Sequence, residues 1–173
     1  LSYLKNLPVD QRVGQAGLEA LSLGQAAADR LPQEFAQTLR TELRQYGAPV
    51  HIIRTVPARM KYDREEIRVT AGESIRLIFE NNDTMPHNLV LVTIGSREEV
   101  GRAADEMATQ PRAWEKGYVP ESKKVLQATR LLKPGESELL TFNVPSKPGK
   151  YEFVCTFPGH WRTMYGVFNV NPG

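Results

Sequence analysis

Cysteine and histidine are scarce in this sequence. There is one Cys, so an internal disulfide is impossible, and a zinc finger is excluded because it needs more thiols or closely spaced histidine pairs. A copper pair bridged by two cysteines is excluded for the same reason. The three histidines, His51, His87 and His160, are too few for a multicopper oxidase within one chain. Any metal site is therefore mononuclear or shared with another chain. Charge of one sign is also lacking: 22 Lys and Arg oppose 20 Asp and Glu, for a formal net charge of +2. That leaves no nucleic-acid footprint, and no basic run points to a membrane surface. No apolar stretch approaches the roughly 20 residues that span a bilayer. No internal repeat or low-complexity segment is present, and no signal peptide is visible within these residues. A precursor would begin with Met, so the chain reads as a mature or excised piece of something longer.

What is present suits one core with a smaller appendage: 173 residues, 40% hydrophobic and 24% charged. Composition shifts near Gly47-Ala48-Pro49. Before it, Ala, Gln, Leu and Arg predict helices over Asp10–Leu31 and from Pro32 to about Gly47. Val13, Leu18, Leu21 and Ala28 favour one face of the first, and Phe35, Leu39 and Leu43 one face of the second. Two such helices bury little alone and should pack on the next domain or on a partner. We therefore divide the chain into a helical segment or linker, 1–47, and a domain, 48–173.

From Val50 onward the pattern is strand-like. Strands are expected at Val50–Val56, Glu66–Thr70, Ser74–Glu80, Asn88–Ile94, Val125–Leu132, Glu136–Val144, Tyr151–Cys155 and Tyr165–Val170. Lys133-Pro134-Gly135 is expected to join Val125–Leu132 and Glu136–Val144 as a pair. Ser96-Arg97-Glu98-Glu99 matches a capping box opening an inserted helix that reaches Met107. Short strands with Gly and Pro turns predict a two-sheet antiparallel sandwich or small barrel.

The informative segment is Cys155-Thr156-Phe157-Pro158-Gly159-His160-Trp161-Arg162-Thr163-Met164. A thiol, an imidazole and a thioether follow one another in one loop. Soft sulfur with imidazole suits copper, and two histidines, one cysteine and a weak axial methionine make a blue-copper electron-transfer site. The second imidazole is expected from Met85-Pro86-His87-Asn88. His51 matches nothing and is taken as a non-ligand. Pro158-Gly159 turns the chain back so that His160 can meet the sulfur of Cys155. Pro158 brings no N–H to compete there.

The Cys155–Met164 loop and the Met85–Asn88 segment resemble those of the azurin and auracyanin family of blue-copper proteins, over about Val50 to Val170. Tyr118-Val119-Pro120 and Arg130-Leu131-Leu132 also resemble family sequence. The resemblance implies a mainly β, cupredoxin-like Greek-key sandwich with one inserted helix, and a type 1 copper held by His87, Cys155, His160 and Met164. It implies backbone N–H groups of Asn88 and Phe157 aimed at the sulfur, and an exposed edge of His160 through which electrons pass. It also implies an apolar rim of Met60, Met85, Pro158 and Trp161 that docks a redox partner, and a periplasmic or otherwise extracytoplasmic location. Pro86 stands where azurin has Gly, azurin's disulfide is missing, and Trp161 is bulkier than its usual counterpart. The helical start lies outside the family and resembles linkers of multidomain bacterial proteins that end in such a domain.

The expected function is electron transfer by a copper protein that is not itself an enzyme. Two alternatives stay open: copper storage or delivery, and a relay domain of a larger oxidoreductase.

Overall fold

The computed structural model describes residues 1–173, the side chains of Val9 and Asp10 excepted. Among the described residues, nine strands form two sheets. The first joins β1 (Val50–Val56), β2 (Lys61–Tyr62), β4 (Ser74–Glu80) and β7 (Ser137–Asn143) in the order β2-β1-β4-β7. The second joins β3 (Glu66–Thr70), β5 (Val90–Val92), β6 (Val125–Ala128), β8 (Gly149–Val154) and β9 (Tyr165–Asn171) in the order β3-β9-β8-β5-β6. Alternation of apolar and polar residues along β3, β4 and β9 turns one face inward. Ile67, Ile75, Leu77, Phe79, Phe153 and Phe168 meet in the core between the sheets.

The sandwich is not purely antiparallel. β1 pairs with β4 in parallel, and β3 pairs with β9 in parallel. The segments flanking Pro134 do not pair with each other either: β6 lies against β5 and β7 against β4, in different sheets. A hydrophobic run specifies burial but not which strand lies beside it, and here the chain crosses from one sheet to the other.

The N-terminal quarter folds as α1 (Ser2–Asn6), a 3-10 turn over Val9–Val13, α2 (Gln15–Ala28) and α3 (Gln33–Arg44). The expected helix from Asp10 breaks at Gly14, which leaves Val13 exposed; Phe35 is exposed as well. Leu4, Leu21 and Leu43 pack with Val50 and Ile52. β2 reaches only Thr55 and Val56 of β1, and α2 lines the rest of that strand's open edge. Ile52 N donates to Ser22 Oγ (3.0 Å), and Arg54 pairs with Glu19. Arg68 of β3 donates to the Asp29 carbonyl at the end of α2. The helices thus cover a strand edge whose free N–H and C=O groups would otherwise invite another chain.

The inserted helix, α4 (Arg97–Met107), forms as expected, but its capping box does not. Ser96 Oγ instead bonds Thr93 Oγ1 (2.7 Å), and Glu99 pairs with Lys124.

Candidate metal centre

Three side chains from three segments converge at one end of the sandwich. Cys155 follows β8, His87 lies late in the β4–β5 connection, and His160 opens a 3-10 turn after Gly159. One donor atom from each lies within 4.8 Å of the other two. Among the described residues no other three His, Cys, Asp or Glu side chains converge in this way. Nδ1 of His87 is 3.7 Å from Cys155 Sγ, and Nδ1 of His160 is 3.6 Å from it. A trigonal ion with bonds of about 2.0 Å to nitrogen and about 2.3 Å to sulfur, zinc-like lengths, would set nitrogen about 3.7 Å from sulfur. The spacing therefore fits a small ion with soft preferences.

The backbone around these donors is held tightly. Cys155 N donates to the Met164 carbonyl (3.0 Å), and Met164 N donates to the His160 carbonyl (2.8 Å). Met164 is fully buried. Gly159 has φ +82°, a left-handed turn that suits glycine. His87 N and C=O both bond Leu132, at 3.1 and 2.8 Å. Asn88 joins the loops: Nδ2 donates to the Gly117 carbonyl (2.9 Å) and Thr156 Oγ1 (2.7 Å), and Oδ1 accepts from Thr156 N (2.8 Å). The backbone N–H groups of Asn88 and Phe157 reach the Cys155 sulfur.

Burial dominates the electrostatics. It pushes the Cys155 thiol up to about 12, against those two N–H groups. Burial, then the neighbouring His87, pulls His160 down to about 4. Burial also lowers His87, against Asp83. Both imidazoles are thus neutral at pH 7 with lone pairs available, while the thiol must lose a proton to bind metal.

Asp83 is the residue that sequence reasoning missed. Its Oδ2 lies 3.0 Å from His87 Nε2, with only 3% of the carboxylate side chain exposed. Burial works against its charge, but N–H bonds from Ala58, Thr84 and His87 hold its carboxyl below the usual range. A carboxylate four residues before a histidine in a loop has no recognisable pattern, so no sequence signal marked it.

Two expectations about the surface need correction. His160 was expected to show an edge, but it keeps only 5% of its surface, against 0% for His87, Cys155 and Met164. Phe157 packs on its ring (4.7 Å between centroids), Tyr118 on Phe157 (5.5 Å) and half-exposed Trp114 on Tyr118 (6.2 Å). Trp161 was expected on the apolar rim and is instead buried. Its ring lies on Gly101 of α4, where a Cβ would come within 2.3 Å. Its Nε1 donates to Asp105 (2.9 Å), which also accepts from Gly159 N (2.8 Å) and pairs with Arg162 (3.0 Å). The bulk of Trp161 thus packs under the inserted helix. Met60 and Met85 are exposed and Pro158 is partly so.

Comparisons with known proteins agree with this geometry. The family profile described as copper binding proteins, plastocyanin/azurin family, matches residues 52–171. Auracyanin-A of Chloroflexus aurantiacus is 32% identical over 114 residues, 65% of this chain and 68% of that protein. Azurin of Pseudomonas aeruginosa is 36% identical over 91 residues, 51% of this chain and 58% of that protein. The solved structure of reduced auracyanin from Roseiflexus castenholzii superposes with a TM-score of 0.63 and 32% identity, covering 71% of this chain and 97% of that one.

Proposed function

The chain belongs to the plastocyanin/azurin family of copper-binding proteins, and from that premise we propose that it carries single electrons, with His87, Cys155 and His160 as the residues that would hold copper strongly and Met164 as the one that would hold it weakly. The observation that carries this reading is the convergence of two imidazole nitrogens and one sulfur within 4.8 Å in a buried shell. Bound copper supplies the one-electron chemistry by alternating between Cu(I) and Cu(II).

The chain supplies a fixed shell. Cys155 is anchored by β8 and by Met164, His87 by Leu132, and the two loops by Asn88. Ligands that cannot relax keep rearrangement small when charge changes. The N–H groups of Asn88 and Phe157 draw charge from the sulfur and help set its donor strength. Phe157, Tyr118 and the core exclude water.

Electrons enter and leave past His160, the least buried of the four ligands, with Met60, Met85 and Pro158 as the apolar rim where a redox protein docks. Residues 48–173 form the copper domain and 1–47 its helical cap. An extracytoplasmic location belongs to the same proposal. No described helix is long and apolar enough to cross a membrane. The buried ligands disfavour storage or delivery, which calls for an exchangeable site.

Copper-loaded protein is expected to show an intense blue charge-transfer band that ascorbate bleaches. Cys155→Ser should abolish it. A Cys155→Ser variant that kept the band would overturn the proposal.

A further inference from the structure

The structure assigns Asp83 as a charged positioning residue that orients the His87 ring and favours the higher copper charge, an inference resting on the reading of His87 as a ligand. Asp83 lies in the β4–β5 connection. Oδ2 meets His87 Nε2 at 3.0 Å. Oδ1 accepts from Ala58 N (3.0 Å) and Thr84 N (2.7 Å), with Thr84 Oγ1 at 3.5 Å. Its own N donates to Asn81 Oδ1 (3.1 Å), and Asn81 also bonds Thr55 and the carbonyls of Met85 and Leu132. The carboxylate cannot turn away without breaking two backbone bonds.

Two consequences follow from the chemistry of the pair. An ionised carboxylate only accepts hydrogen bonds, so Nε2 of His87 must carry the hydrogen. Nδ1 then carries the lone pair, and Nδ1 is the atom 3.7 Å from Cys155 Sγ. Asp83 thereby fixes the tautomer whose Nδ1 lone pair faces the Cys155 side, where it is available to a metal ion. The second consequence is electrostatic. A negative charge held against an imidazole raises its basicity as a ligand, and in a buried site that charge is weakly screened. It stabilises Cu(II) more than Cu(I). The two histidines are therefore unequal: His87 is backed by a carboxylate, whereas the ring of His160 packs on Phe157.

The test uses the full chain carrying Asp83→Ala or Asp83→Asn. In the metal-free protein, nitrogen NMR of labelled histidine reports the His87 tautomer. We expect a single Nε2–H form in the parent and a mixture in Asp83→Ala. In the loaded protein, Asp83→Ala should weaken Cu(II) binding about 10- to 100-fold and Cu(I) binding less. Each tenfold difference between the two raises the reduction potential by about 59 mV for one electron. Asp83→Asn keeps the size but loses the charge, so its potential should also rise, and it carries the test if Asp83→Ala does not fold. A folded variant that keeps the parent's tautomer and its Cu(II)/Cu(I) affinity ratio within twofold would overturn the assignment. A parent protein that binds no copper would instead sink the ligand reading and leave the metal-free tautomer result standing.

Discussion

The ligand end of the sandwich and the seam beneath the helices treat buried polar atoms in opposite ways. At the ligand end, the side chains of Asn81, Asp83, His87, Asn88 and Thr156 have partners. The orphaned buried side-chain atoms among the described residues are Asp29 Oδ2, Arg40 Nε, His51 Nδ1 and Arg76 Nε, all in or beside the seam. The contrast is sharpest between two histidines. His87 is bonded on one nitrogen and faces the sulfur with the other. His51 is equally buried, with Nδ1 unbonded. Burial, with Arg64 and Arg40 nearby, pulls it down to about 3. Buried polar atoms left unpaired cost free energy. The ligand end is therefore pre-organised, while the seam is the weaker attachment.

The largest expected effect breaks the organised side. Asn88→Ala removes three hydrogen bonds and leaves Thr156 N and the Gly117 carbonyl buried and unpaired. It should lose about 3–5 kcal/mol in urea unfolding of the metal-free protein, and retention of parental stability would erase the contrast.

The seam should reveal itself through acid. The folded chain keeps His51 neutral, whereas the unfolded chain protonates it below about 6.5. Its contribution is full above that pH and is lost as pH falls toward 3. Between pH 6.5 and 5 the parent should lose about 1.6 kcal/mol more than His51→Leu, the slope approaching about 1.36 kcal/mol per unit only below about pH 6. Equal slopes in parent and variant would mean that His51 is hydrated or paired.

The smallest effect sharpens the comparison at its boundary. Ser22→Ala leaves Ile52 N without its partner and should cost about 1 kcal/mol. Hydrogen exchange should then quicken at Ile52 and along α2 while the amides of Asn88 and Thr156 stay protected. Quickening at both ends would show that the seam and the ligand end open together.

Much of the fold was legible because strand signals are local. The bounds of β1, β3 and β4 follow from β-branched runs closed by Pro57, Ala71-Gly72 and the polar Asn81-Asn82. The ligand loop is legible for the same reason, since thiol, turn, imidazole and thioether lie within ten residues. The capping box failed because Thr93 competed for Ser96. The pair around Pro134 failed because its partners are β5 and β4. Trp161 was misplaced because only the approach of Gly101 shows where the ring goes.

The sequence alone determined which donors exist: one thiol, few imidazoles and a thioether at short offsets in a β-rich chain. Tertiary structure decided which nitrogen faces the sulfur, that a carboxylate stands behind His87, how little of His160 reaches solvent, and that the helices seal β1. The division has a physical cause. A donor's identity belongs to its own residue, whereas desolvation and hydrogen-bond direction are set by neighbours far along the chain.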